Sequence, residues 1–238
     1  MKSDNPSWGA PRVHGELLQL GFEISEPTVS RYLQRLKQCP DNQKAKRWLA
    51  FLHNHREVIA AFDFFTVPTL TFRVIYCFFV IEHQRRQILH FNITAHPISE
   101  RIMQQLREAL PLPYPYRYMV FDRDRKFDVE VRKFLRGSGI KAVRTSVRSP
   151  WQNGVAERWV GSIRREMLDH VIPLNERHLM RLSQNYLRYY HEDRTHIGLN
   201  KETPGARPVE SRPTATAKVI ALPRIGRLHH RYTWSAAA

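Results

Sequence analysis

The chain has 238 residues, 42% of them hydrophobic and 11% aromatic, so it can bury a sizeable core and is not disordered throughout. Its 38 Lys and Arg against 22 Asp and Glu give a formal charge of +16, which favours a nucleic-acid partner unless the basic surface serves only solubility. Two cysteines, Cys39 and Cys77, exclude a disulfide scaffold and a four-cysteine zinc site, and they are typical of a reducing cytoplasm. No apolar run approaches the roughly 20 residues of a membrane helix, so we expect a cytoplasmic protein without a membrane partner.

Residues 1–37 contain the pattern of two helices around a tight turn at Gly21. The predicted inner faces comprise Val13, Leu17, Leu18, Leu20, Val29, Tyr32, Leu33 and Leu36. The second helix keeps basic residues outside, including Arg31 and Arg35, which are candidate DNA contacts. This pattern is that of a helix-turn-helix DNA-binding segment, and it fits a plain helical hairpin equally well.

Residues 38–57 are interpreted as a polar, basic linker, after which the hydrophobic pattern changes period. Three β-branched and aromatic runs predict a meander of three strands. A helix, a fourth strand, a second helix and a fifth strand are predicted next. The order predicts an α/β fold with a mixed five-stranded sheet over residues 58–200.

Two further helices are expected over residues 154–170 and 176–190, and they close the core. Residues 201–238 form a basic tail in which the segments KVIAL and LHHRYTW predict a short hairpin. Positive charge is concentrated in the last two-fifths of the chain, since residues 141–238 hold 17 basic and 8 acidic side chains.

Three carboxylates occur outside the usual solvated helix faces. Asp63 lies within the strand AAFDFFTV, Asp122 ends the strand YMVFD, and Glu157 lies in the first turn of the helix after SPWQNG. Acids on a strand, a strand end and a helix start can converge to bind two Mg²⁺ or Mn²⁺ ions, as in phosphodiester chemistry. Each acid also has a structural interpretation: Asp63 as a cap of backbone amides, Asp122 as a turn residue and Glu157 as a helix-dipole stabiliser. From chemistry alone, Asp124 is as good a candidate as Asp122.

The segments DFFTVPT, FDRDRKF and SPWQNGVAERWVGSIRREMLDHVI resemble the catalytic core of the DDE integrase and transposase family. The third segment is the most specific of them. The resemblance covers roughly residues 58–200 and extends more loosely to the front of the chain. It implies an RNase H-like fold with helices flanking the mixed sheet and a metal-binding acidic triad.

The resemblance places the triad on Asp63, Asp122 and Glu157, with Mg²⁺ or Mn²⁺ as two bound ions. It prefers Asp122 to Asp124 because 34 residues then separate the second acid from Glu157, close to the family's usual spacing. The polar loop before the glutamate then supplies DNA contacts, implied for Ser149, Pro150, Gln152 and Asn153. On the same helix, arginine forks that match phosphate oxygens make further DNA contacts, or else form a solvated basic face: Arg158, Arg164 and Arg165.

The resemblance implies a polynucleotidyl transferase that binds element ends and target DNA, as a homo-oligomer and without a small-molecule substrate. A retroviral-type zinc domain is excluded by the two lone cysteines. Because little DNA-binding sequence precedes the core, the chain is expected to be the downstream part of a truncated element. The alternatives are a non-catalytic DNA-binding remnant or repressor of a mobile element, and a nuclease that cuts without joining.

Overall fold

A computed structural model describes residues 1, 5, 8–37, 42–110, 112–124, 127, 129–146 and 149–235, without the side chains of 34–37, 42, 44 and 150. The chain forms two compact units, Met1–Asn54 and His55–Ala238. None of the helices in the described parts of the chain is long and apolar enough to cross a bilayer.

The helices of the first unit, over its described residues, are α1 Ala10–Gln19, α2 Glu26–Lys37 and α3 Asn42–Asn54. Gly21 has a φ of +81°, which permits the turn after α1, and His14 Nε2 is 2.6 Å from the carbonyl oxygen of Ile24 beyond it. Val13 and Val29 are buried.

Two expectations for this unit were wrong. Leu18, Leu20 and Tyr32 are 49%, 60% and 60% exposed, so the predicted inner faces are narrower than the sequence pattern indicated. Residues 38–57, interpreted as a linker, include the 13-residue helix α3. The side chain of Leu36 and the whole of residues 38–41 lie outside the described part of the chain.

The second unit contains the predicted mixed five-stranded sheet, which is confirmed with the order β3-β2-β1-β4-β5. Its strands are β1 Ile59–Pro68, β2 Val74–Glu82, β3 Ile88–Thr94, β4 Tyr118–Phe121 and β5 Lys141–Arg144. The first three pair antiparallel, whereas β4 is parallel to both β1 and β5. Its helices are α4 Ser99–Ala109, α5 Val129–Gly137, α6 Gly154–Glu166 and α7 Glu176–Glu192.

Helices cover both faces of the sheet. On one face Phe62 stacks on Phe121 and meets Phe127 edge-on, within an apolar cluster that includes Leu106 of α4 and Leu135 of α5. On the other face α6 packs its Trp159 against Phe79 and Phe65, at ring centroid distances of 4.3 and 5.6 Å. These aromatic contacts fix α6 across the middle of the sheet.

The predicted helix over residues 154–170 is shorter than expected. At Met167 the backbone leaves the helical region (φ −141°, ψ −56°), so α6 ends at Glu166 and residues 168–170 form a separate 3-10 turn.

The C-terminal segment forms the antiparallel hairpin of β6 Val219–Arg224 and β7 His229–Trp234. Asp193, just after α7, has a fully buried carboxylate that Arg224 Nε approaches to 2.6 Å and Arg231 Nη1 to 3.4 Å. Ion pairs to one buried carboxylate therefore connect both strands of the hairpin to the end of α7.

Candidate active site

Strand β1 places Asp63 on the α6 side of the sheet. Side chains alternate along a strand, and Phe62 and Phe64 pack in or against the apolar cluster under α4 and α5. Asp63 therefore shares its face with Phe65, which contacts Trp159 of α6. The backbone N–H of Phe64 donates to Asp63 Oδ1 at 2.8 Å, which orients the carboxylate.

Asp122 follows β4 directly, beside β1. The parallel register pairs Ala61 with Val120, so two further residues along each chain align Asp63 with Asp122. Adjacent strands lie about 4.8 Å apart, which brings the two carboxylates to the same part of the sheet. The backbone N–H of Asp124 donates to Asp122 Oδ1 at 2.8 Å in the turn that follows.

Glu157 is the fourth residue of α6, which begins after a 3-10 turn at residues 150–153. Trp159 and Ile163 are buried, so the apolar stripe of α6 faces the sheet. Glu157 lies off that stripe and is exposed, as the helical period predicts. Its carboxylate is accessible to a ligand that approaches the edge of the site.

The three acids influence one another electrostatically. The pKa of Asp63 is raised to about 7, first by burial and next by the charge of Asp122, with smaller increases from Glu157 and Asp124 and a partial offset by the Phe64 N–H. The pKa of Glu157 is also raised, by partial burial and then by Asp122. The charge of Asp122 thus raises the pKa of both other acids, whereas the charge of Asp124 has the smallest effect on the pKa of Asp63. This electrostatic order favours Asp122 as the second member of the group.

The three carboxylates have the ligand chemistry of a site for a hard divalent cation. Carboxylate oxygens are the ligands that Mg²⁺ and Mn²⁺ prefer, and a cation would relieve the repulsion that raises the pKa of Asp63. Over the residues that the structure describes, no three His, Cys, Asp or Glu side chains are grouped closely enough to hold a metal ion. The three carboxylates therefore influence one another electrostatically but are not drawn together into a coordination sphere in this structure.

The predicted DNA contacts on α6 and its preceding loop have different environments. All three arginines of α6 are exposed, and Arg164 Nη2 also donates to the carbonyl oxygen of Thr66 at 3.1 Å. Gln152 Oε1 accepts the backbone N–H of Ser146. Asn153 is only 2% exposed, and neither atom of its amide has a partner among the described residues, so it lies beneath the loop surface.

The remaining predicted contacts are less informative. Ser149 is half-buried before α6, and the side chain of Pro150 lies outside the described residues. Arg31 is exposed on α2, whereas Arg35 belongs to α2 with its side chain outside the described part.

Sequence reasoning missed a half-buried polar network beside α6. Glu166 accepts hydrogen bonds from Arg194 Nε at 2.9 Å, from Arg194 Nη2 at 2.7 Å and from the Tyr186 hydroxyl at 3.1 Å. It also missed Arg86, in the turn between β2 and β3, which borders a cavity with this network. The only sequence signal was the basic turn HQRRQ, whose distance along the chain from α7 hides the proximity.

Comparison with known proteins gives one family and a consistent fold. Residues 138–204, which include Glu157 and all of α6 and α7, match the family described as integrase core domain. No curated protein has a matching sequence.

Solved structures share the fold at low sequence identity. A chain of the simian T-cell lymphotropic virus intasome in complex with PP2A regulatory subunit B56 gamma is 14% identical, with a TM-score of 0.51 over 76% of this chain and 67% of that one. The catalytic domain of Mos1 mariner transposase is 12% identical, with a TM-score of 0.52 over 61% and 79%. A second Mos1 catalytic-domain structure, with Raltegravir and Mg, is 12% identical, with a TM-score of 0.51 over 60% and 77%. The expected RNase H-like sheet and flanking helices are thereby confirmed.

Proposed function

Because residues 138–204 match the integrase core domain and the fold is shared with a transposase catalytic domain, we propose that the chain is a DDE-type enzyme that joins DNA ends to a target by metal-dependent strand transfer. In this reaction a 3′-hydroxyl attacks a target phosphodiester, and the target strand's own 3′-oxygen leaves. The observation that carries the proposal is the position of Asp63 on β1 next to Asp122 at the end of the parallel strand β4, together with their charge coupling to Glu157.

Two Mg²⁺ or Mn²⁺ ions are proposed at this site, held by Asp63, Asp122 and Glu157. When bound, such ions polarise the attacking hydroxyl and stabilise the charge on the leaving oxygen. An Mg-containing structure of a protein with the same fold, the Mos1 catalytic domain, supports this part of the proposal.

The chain's own residues would orient the reacting groups. Hydrogen bonds from the backbone N–H groups of Phe64 and Asp124 hold the carboxylates of Asp63 and Asp122 in fixed directions. Preorganised carboxylates avoid the cost of ordering ligands at the moment of reaction. Arg164, on nearly the same side of α6 as Glu157 at about 100° per residue, is positioned to bind a DNA phosphate near the carboxylates.

Binding of element ends is proposed for the helix-turn-helix-like segment, through Arg31 and Arg35, and for the basic tail of residues 201–238. A homo-oligomer is proposed because two element ends must reach one target. The loop before α6 would contribute Gln152, while buried Asn153 would shape that loop.

A strand-transfer assay tests the proposal. The DNA on both sides of the reading frame is sequenced first, because paired terminal inverted repeats supply the end substrate. Labelled end duplex, target DNA, Mg²⁺ and the full chain should give products longer than the input strand. Glu157→Gln should abolish them, whereas Asp169→Asn, which removes an exposed acid beyond α6, should not.

Three results contradict the proposal. DNA binding without joining by the wild-type chain favours the remnant or repressor. Shortened products alone indicate a nuclease. Strand transfer that persists in the Glu157→Gln variant would show that Glu157 is not required for the reaction.

A further inference from the structure

A cavity of about 550 Å³ lies between α6, the end of α7 and the turn between β2 and β3. Its polar lining residues include Arg86, Arg158, Arg165, Arg194, Tyr190 and His196. None of Asp63, Asp122 and Glu157 lines it. At about 100° per residue, Arg158 and Arg165 lie about a quarter of a turn around α6 from Glu157. The cavity is therefore beside the carboxylates but separate from them.

Three of its positive charges are not neutralised. Arg194 is paired with Glu166, at 2.7 Å between Nη2 and Oε1. For Arg86, Arg158 and Arg165, by contrast, the described residues provide no carboxylate within ion-pair distance. This part of the chain therefore concentrates cationic charge without an internal counter-ion.

Two glycines allow the arginine side chains to take these positions. A Cβ at Gly198 would lie 2.0 Å from Arg86 Nη2, and a Cβ at Gly161 would lie 2.9 Å from Arg165 Nη1. Each guanidinium group therefore packs against glycine backbone and would have to shift if a larger residue replaced the glycine. The cavity is shaped around the arginines by backbone on α6 and on the segment after α7.

Arg86 is in an unfavourable environment without an anion. Burial, followed by the charges of Arg158 and Arg194, lowers the pKa of Arg86. A bound anion would compensate both the burial and the repulsion between like charges.

We propose that this arginine cavity binds a backbone phosphate of DNA, at a contact separate from the carboxylates. The inference rests on the proposed action on DNA and assigns that substrate a second point of attachment. Guanidinium forks match the geometry of phosphate oxygens. Because Arg158 and Arg165 are exposed, the cavity is open on the α6 side, where a polymer can enter without burying its neighbouring nucleotides.

Fluorescence anisotropy with a labelled DNA duplex tests the contact in the absence of divalent ions, so that no reaction occurs. Arg86→Gln should weaken binding about 5- to 10-fold and lower the slope of log affinity against log salt by about 1. Arg136→Gln, which removes an exposed arginine from α5, is the matched control and should change affinity less than about twofold.

Gly198→Ala sharpens this test because it displaces the Arg86 guanidinium without changing net charge. It should weaken binding about threefold, in the same direction as Arg86→Gln. Equal effects of Arg86→Gln and Arg136→Gln would overturn the proposal. It would also be overturned if Gly198→Ala bound DNA like the wild type, since charge alone would then explain the loss.

Modification of arginines by phenylglyoxal, read by mass spectrometry, locates the contact. The duplex should protect Arg86 and Arg158, whereas inorganic phosphate at the same phosphate concentration should not. Equal protection by inorganic phosphate would indicate a site for the free anion, and absence of protection would exclude the contact; either overturns the proposal. Protection of the arginines without strand transfer would refute the proposed function but support this DNA contact. Strand transfer without protection would support the proposed function but refute the contact.

Discussion

The two faces of the sheet bury different chemistry, although neighbouring residues of β1 supply both. Under α4 and α5, Phe62 belongs to a cluster of buried apolar side chains. Under α6 and α7, the buried Trp159 is accompanied by Asp63 and by the network of Glu166 and Arg194. Burial of the ionised Asp63 costs free energy, as its raised pKa reflects, whereas Glu166 and Arg194 are paired with each other. The comparison indicates that one face is purely apolar core, whereas the other also contains the candidate carboxylate Asp63 and an ion pair.

Asp63→Asn is the sharpest way to separate the two faces. It should lower strand transfer by about three orders of magnitude, since loss of a metal ligand removes several kcal/mol of charge stabilisation. The melting temperature should not fall, because a neutral amide replaces a carboxylate whose ionisation burial disfavours. The two measurements are the initial rate of joining and thermal unfolding by circular dichroism. A large drop in melting temperature would mean that Asp63 is chiefly structural.

Asp193→Ala tests whether the α7 side also contains a structural ion cluster. Removing the shared carboxylate leaves Arg207, Arg224 and Arg231 without their buried partner, and should cost about 3 kcal/mol of unfolding free energy. Proteolysis should then cut first in the C-terminal hairpin. Urea denaturation measures the loss. Glu202→Gln, which removes an exposed pair with Arg85, should cost less than about 1 kcal/mol; equal losses would contradict the assignment.

His83 gives the α6 and α7 side of the core a pH dependence near Arg86. Burial and then Arg86 lower the pKa of His83 from 6.5 to about 4, so the folded state binds the proton less well than the unfolded state. Stability attributable to His83 is therefore present above pH 6.5 and is lost as pH falls towards 4, by up to about 3 kcal/mol. His83→Leu should flatten this part of the profile of unfolding free energy against pH. An unchanged profile would show that His83 is protonated in the folded protein at little cost.

Phe62→Leu is the counterpart of Asp63→Asn on the apolar face. It should lower the free energy of unfolding by about 1 to 2 kcal/mol, because the aromatic contacts with Phe121 and Phe127 are lost. The rate of joining per folded molecule should stay within about twofold of the wild type, since the change is confined to the other face. Loss of joining without loss of stability would break the division between the two faces.

Much of the core was predictable because its elements have strong local periods. The β-branched and aromatic runs predicted the five strands of the sheet, and the acids interrupting or ending them identified Asp63 and Asp122 as unusual. The N-terminal helices were predicted as elements, but their burial was not, since Leu20 and Tyr32 are exposed. Helix α3 was missed because its polar and basic residues favour a linker interpretation when composition is weighed before periodicity.

The amino-acid sequence alone determined the order of strands and helices, the cationic character and the three candidate carboxylates, because these depend on residue type and spacing along the chain. The tertiary structure decided the rest. Only strand register aligns Asp63 with Asp122 and gives Asp122 a stronger electrostatic effect than Asp124. Only tertiary packing brings Arg86 beside α6 and buries Asn153 in the turn before that helix. Burial and charge coupling depend on distances in space between residues that are far apart in the chain, and no local pattern encodes those distances.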